Sequence, residues 1–445
     1  MKRKLERAGI LAAMVFAALV GAPAGAQMIG GSGPSVLSRG GNAPGMRGDE
    51  AADVTFYAGA NGYAETGIYT PNSEGTAEAG NAYGVGLSWG AYGMHSWRRS
   101  VLGVDYRGDY RYYTVNGFLT GSNQAVGVEF QHTFNRHWQM SVRESGGTTN
   151  QPFGGFTSPS YVTSDYNGVP LTEIYNTRIY YTQTTAYAAY NWSARTIFTF
   201  GGGGFFNYRS AAGLVSGNGA YAVAGGQHRL TRDDAVGFMY QYQKFWYPRT
   251  FGGSDTNTVA LSYNRNLGRY STLFLSGGGS RVETLGSESY ALSPEIQAIL
   301  GISTGTRVFY RVDYIPYVNA SITYRKKNWG YNAGFNEGVA PGNGVYLTSQ
   351  QWAASGGASY TGIRKTSFGL NASYTHLVSL WQTAEPFSYV QAGGGMSYAF
   401  GRGLNFVCQV DWRNMTAGTA IYRQRGIVAT AGISYSSSTI PLSLW

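Results

Sequence analysis

The chain has 445 residues, a formal net charge of +10 and only 13% charged residues, about half the share usual in soluble domains. Its single cysteine, Cys408, excludes an intrachain disulfide and a cysteine cluster for metal. Basic residues recur at intervals along the chain and do not gather in one stripe, which argues against nucleic acid as a partner.

Lys2, Arg3, Lys4 and Arg7 precede an apolar run over 10–20, and Ala24-Gly25-Ala26 follows it. A basic start, a short apolar core and a small-residue cleavage site predict a secretory signal over 1–26. The apolar run is too short to cross a bilayer as a helix. Removing the signal takes away four cations and Glu6, leaving about +7. Residues 27–50 are rich in Gly and Ser without periodicity and are expected to form a flexible tail. No later apolar run is long enough for a helical span, so re-entry into a membrane would have to use the strands of a closed barrel.

From residue 51 onward the pattern is period two. Val54, Phe56 and Ala58 alternate with Asp53, Thr55 and Tyr57 near 52–63. Tyr83, Val85, Leu87 and Trp89 alternate with Gly84, Gly86 and Ser88 near 81–94. Near 101–113, Leu102, Val104, Tyr106, Tyr110 and Tyr112 face away from Asp105, Arg107, Asp109 and Arg111. Val126, Val128 and Phe130 enclose Glu129, and Trp138, Met140 and Val142 are followed by Arg143. Val318, Ala320, Ile322 and Tyr324 make a later example, as do Leu404, Phe406, Cys408, Val410 and Trp412. A final strand is expected near 426–435.

Eight short basic turns separate these strands, marked by Arg98, Arg136, Arg195, Arg232, Arg269, Lys326, Arg364 and Arg402. Their steps are 38, 59, 37, 37, 57, 38 and 38 residues, the length of a strand, a longer loop and a second strand. Two strands per turn give sixteen, and the first and last strands bring the count to eighteen. The longer steps place extra sequence in two loops, 147–177 and 283–306, the second with a helical turn that has Ser293 at its N-cap and Pro294 at its first position. Both loops are expected to decorate the surface rather than fold inward.

The fold class expected is all-β, a transmembrane up-and-down antiparallel β-barrel of about eighteen strands, sixteen being the alternative, over 51–445. Tyr and Trp suit headgroup belts, and Gly suits curved strands. The runs 201–204, 277–279 and 393–395 lead into no Lys-Ser/Thr or helix, so they are bends and not phosphate loops. A charge on the lipid side near the midplane would cost ~2–4 kcal/mol, which predicts that Asp105, Arg107, Asp109, Arg111, Glu129, Arg143, Arg311, Asp313, Asp411 and Arg413 point inward and line a pore. Ion pairing that merely braces the interior is the alternative role for the same residues. The basic excess suggests a mild preference for anions.

An enzyme would need a Ser–His pair facing lipid. His132 and His228 repeat in equivalent hairpins, as interfacial anchors would. Ser373 and Ser379 lie three positions from His376 and so face the other side of the sheet. No catalytic residue, cofactor or metal site is therefore expected.

The signal, the basic turns, the aromatic residues beside them and the aromatic C-terminus resemble Gram-negative outer-membrane β-barrels of the porin type. The segment 336–344 also resembles loops of uncharacterised barrels, some linked to exopolysaccharide export. The resemblance implies an integral outer-membrane location, periplasmic turns and tail, and an aromatic assembly signal, carried here by Tyr435 or Trp445. It implies a channel for small polar solutes; an accessory barrel for surface polysaccharide, or a structural or adhesive barrel, are the alternatives. Partners expected are outer-membrane lipids, the barrel-assembly machinery, small polar solutes and, in a homo-oligomer, further copies of the chain.

Overall fold

The computed structural model describes residues 54–71, 77–114, 120–150, 178–211, 214–342, 344–381, 386–401, 403–417 and 422–437. The predicted signal and tail, most of the loop 147–177, Arg402 and Trp445 lie outside these residues.

Eighteen antiparallel strands form one sheet in chain order, and the sheet closes where β1 (Val54–Pro71) pairs with β18 (Tyr422–Ser436). Closure leaves no open edge, so strands are paired on both sides around the wall, while the ends of β11 and β12 run past their outer neighbours. The sixteen-strand alternative is thereby replaced by eighteen. In order, the remaining strands are β2 (Ala77–Ser96), β3 (Ser100–Tyr113), β4 (Gly121–Thr133), β5 (Trp138–Thr149), β6 (Ile179–Asn191), β7 (Thr196–Arg209), β8 (Gly217–Arg229) and β9 (Asp234–Trp246). They continue through β10 (Gly253–Asn266), β11 (Ser271–Ala291), β12 (Thr304–Lys326), β13 (Trp329–Ala340) and β14 (Ser349–Ile363). The last are β15 (Thr366–Ser379), β16 (Phe387–Gly401) and β17 (Leu404–Ala417).

All eight basic turns fall between strands at one end of the barrel, and the first residue of β1 and the last of β18 lie at that same end. Two of the turns force a basic residue into the left-handed region, Lys327 at φ 49° and Lys365 at φ 67°. The aromatic residues beside the turns are exposed: Trp97, Phe134, Trp138, Trp192, Trp329 and Phe400 form a ring at this end.

The opposite end carries the longer connections. Half of the segment 283–306 is strand, since β11 runs to Ala291 and β12 starts at Thr304. Its polar residues on both faces hid the alternation. The helical turn is present as α1 (Pro294–Leu300), with Ser293 extended at its N-cap and Gly301 left-handed at its end.

Period two sorts the side chains as predicted. On β3, Val104, Tyr110 and Tyr112 are exposed on the outer face while Asp105, Asp109 and Arg111 are buried on the inner one. Val85, Leu261, Leu370 and Val410 belong to the same exposed outer band.

Many tyrosines occupy the inner face, a place not expected for them. They lie flat over inward glycines of the next strand. A Cβ on Gly90 would stand 2.4 Å from the Tyr57 ring, and one on Gly201 would stand 2.2 Å from the Tyr187 ring. The glycine run 201–204 is thus regular strand, with Gly201 seating Tyr187 and Gly203 lying 2.9 Å from the Tyr221 ring by the same measure. Tyr187 and Tyr221 then share a hydroxyl–hydroxyl bond of 2.9 Å. Glycine supplies the space and tyrosine the buried area, about 150–250 Å² for an aromatic side chain.

Candidate functional site

The interior wall is the candidate site, and its charged part is built on the strands that flank the β18–β1 closure. On β3 the alternation brings each arginine beside an aspartate two residues away. Arg107 pairs with Asp105 at 3.0 Å and Arg111 with Asp109 at 2.8 Å. Asn123 of β4 donates to Asp109 at 3.2 Å, while its carbonyl accepts from the Thr149 hydroxyl at 2.9 Å. Arg111 also lies over the Tyr63 ring at 5.1 Å. These bonds fix the guanidinium on both its edge and its face.

The charged strip crosses the closure. Tyr113 donates to Glu65 at 3.3 Å, and Arg413 of β17 reaches the other Glu65 oxygen at 3.2 Å. Asp411 accepts from Gln409 at 2.6 Å and from Gln391 at 3.4 Å. Glu65, Tyr389 and Arg413 line a small recess in this wall. Glu129 and Arg143 stand opposite each other in the β4–β5 register. On the far side of the barrel Arg311 pairs with Asp313 at 2.7 Å. All ten residues predicted to point inward are therefore on the inner face, and eight of them lie in β3, β4, β5 and β17.

Sequence reading missed Glu65, Asn123, Arg209 and Gln391, and alternation put Gln409 on the inner face without revealing its bond to Asp411. Glu65 continues the inner alternation of Thr55, Tyr57 and Tyr63, but β1 extends past the point where its pattern fades. The neutral amides carry no charge signal, and only the strand register reveals them.

The second part of the site is a strap across the loop end, formed by the connection between β13 and β14. Gly342, at φ 79°, makes a turn in which a Cβ would stand 1.7 Å from the Tyr346 carbonyl oxygen. Gly344, at φ 92°, lies close to Arg209, its absent Cβ 2.8 Å from that side chain. The Val215 amide donates to the Gly344 carbonyl at 2.9 Å, and Arg209 donates to the Val215 carbonyl at 2.7 Å. Thr348 bonds the hydroxyls of Tyr247, at 3.0 Å, and Ser254, at 2.6 Å. Burial raises the Tyr247 hydroxyl far above its ordinary pKa, so it stays a donor, and it also reaches the Pro341 carbonyl at 3.1 Å.

Adjacent strap residues enter two apolar clusters. Leu347 packs with Phe205, Phe245, Val282, Ile315 and Trp381. Tyr346 packs with Leu377, Phe387, Tyr389 and Met415. The strap thus ties β7–β11 on one flank to β15–β17 on the other. The described residues of this connection, 341–342 and 344–348, fold inward, as do Leu380 and Trp381 of the connection after β15, whereas the longer sequence intervals had pointed to loops at 147–177 and 283–306. The segment 336–344, singled out for its likeness to barrel loops, is the end of β13 and the start of this strap.

The outer face carries polar groups too. Glu144, halfway along β5, accepts hydrogen bonds from Thr182, at 2.7 Å, and from Thr184. Three histidines bond a hydroxyl of the neighbouring strand through Nδ1: His132 with Ser100 at 2.7 Å, His228 with Thr196 at 2.9 Å, and His376 with Ser388 at 2.7 Å. The Ser388 partner of His376 comes from the next strand and could not be found by counting along one. The same pair recurs at the turn end with serine and with threonine, which is the behaviour of a cross-strand brace. Among the described residues no cluster of three or more His, Cys, Asp or Glu could hold a metal ion.

No family model matches the sequence, and no curated protein is similar to it. Solved structures with a similar chain trace include OpdQ of Pseudomonas aeruginosa, at 10% identity and a TM-score of 0.40, covering 88% of this chain and 99% of that one. OccK2 (OpdF) of the same organism, solved in complex with glucuronate, matches at 12% identity and a TM-score of 0.42 over 87% of this chain and 99% of its own. OccAB3 of Acinetobacter baumannii matches at 10% identity and a TM-score of 0.40 over 86% of this chain and 99% of its own. The barrel assignment rests on the strand pairing and closure described above.

Proposed function

We propose that the chain is an integral outer-membrane channel through which small polar solutes diffuse with mild selectivity. The observation that carries this reading is the sorting of the wall: an apolar outer band and a charged, hydrogen-bonded interior on the same eighteen strands. An apolar band of that extent would promote aggregation in water and is matched by hydrocarbon. Eighteen strands give a barrel wide enough for an aqueous lumen. The leader over 1–26 would route the chain across the inner membrane, and the turn end, with its basic residues and aromatic ring, would face the periplasm. Lipids and the assembly machinery are the partners this placement requires. Tyr435, outward at the end of β18, stands where an aromatic assembly signal would be read.

The lumen-facing ion pairs would set the field felt by passing solutes, and no step of chemistry is assigned to any residue. Reconstitution in planar bilayers tests the reading. Discrete conductance steps are expected from the purified barrel. A folded barrel that inserts and never conducts would sink it, and loss of surface polysaccharide on deletion, with permeability unchanged, would favour the export role.

A further inference from the structure

The charges inside the barrel are balanced, although the chain as a whole is basic. Away from the turn end, where Arg229 and Arg325 close their strands, the described inner face carries Arg107, Arg111, Arg143, Arg209, Arg307, Arg311 and Arg413, and it carries as many carboxylates: Glu65, Asp105, Asp109, Glu129, Glu288, Asp313 and Asp411. The excess cations sit in the turns, outside the lumen. Five of these arginines have a carboxylate within 3.2 Å, and a sixth, Arg143, faces Glu129 in register. The seventh, Arg209, is bound into the strap.

A cation and an anion this close produce a field that falls off faster than that of either charge alone. A solute a few ångströms from the wall meets alternating donors and acceptors and little net potential. Arg107, Glu65 and Arg413 keep a partly exposed edge on this wall, while Asp105, Asp109 and Arg111 are buried behind them.

We infer that the channel selects small zwitterionic and uncharged polyhydroxylated solutes over ions of a single sign, with the strip from Asp105–Arg111 through Glu65–Arg413 as the specificity-determining surface. A zwitterion can exchange partners with a wall ion pair at both of its ends, whereas a dianion or dication must leave one wall charge facing its own sign. This rests on the channel reading and replaces the anion preference suggested by the overall basic charge.

Osmotic swelling of proteoliposomes containing the full chain tests it, with glycine, arabinose, succinate and putrescine as probes. Glycine and arabinose are expected to enter at rates set by size, with succinate and putrescine each slower and within about threefold of one another, as a balanced wall requires. Arg107→Gln with Arg111→Gln should then speed putrescine and slow succinate, and Asp105→Asn with Asp109→Asn should do the reverse. Heat-modifiable gel mobility checks that each variant is a folded barrel. A strong succinate or putrescine preference in the wild type, or folded variants that leave both rates unchanged, would overturn the inference while leaving the channel intact. No swelling with any solute would remove the channel and the inference together.

Discussion

At the scale of single residues, the interior is held by pairs whose members are far apart in sequence. Gly201 is small because the Tyr187 ring occupies its space, and that ring position delivers the hydroxyl bonded to Tyr221. Gly201→Val should displace the ring and destabilise the barrel by about 1–3 kcal/mol. Urea unfolding in lipid vesicles measures it, and adding Tyr187→Ala should recover part of the loss because the two positions share one space. Glu144 gives the opposite expectation. A carboxylate on the outer face, halfway along its strand, is disfavoured in hydrocarbon even with two threonine hydroxyls bonded to it. Glu144→Leu should therefore stabilise the folded barrel, by ~1 kcal/mol, in the same unfolding measurement. The side on which Asp105 or Tyr110 would lie was legible from alternation alone. The fate of the tyrosines was not, because composition assigns them to the headgroup belts and only the register places Tyr57 over Gly90.

At the scale of elements, the turns were legible and the strap was not. A two- to four-residue turn is decided by local chemistry, and its basic residues mark it without knowledge of the rest of the chain. The strap is decided by contacts that span the barrel: Thr348 with Tyr247 and Ser254, and Tyr346 with Phe387. Its one local signal was the glycine-rich stretch around Gly342 and Gly344, which fits any loop equally well. Thr348→Val removes two hydroxyl contacts, each worth about 1 kcal/mol, and should loosen the strap without opening the barrel wall. Single-channel recordings should then show more frequent transitions between current levels, and a trace identical to wild type would mean that these bonds do not hold the mouth.

At the scale of the whole molecule, the barrel depends on closure between the first and last strands, and the strand count follows from eight turns plus two ends. As a channel, the barrel turns the charged face of β3 toward water and the tyrosine face toward lipid. That placement is checked by introducing Arg107→Cys, Arg111→Cys, Tyr110→Cys or Tyr112→Cys, one at a time, into a chain carrying Cys408→Ala. Each barrel is recorded in a planar bilayer while a charged, water-soluble thiol reagent is added. Current should fall stepwise for positions 107 and 111 and stay unchanged for 110 and 112. Current that falls for 110 or 112, or is untouched at 107 and 111, would overturn that placement.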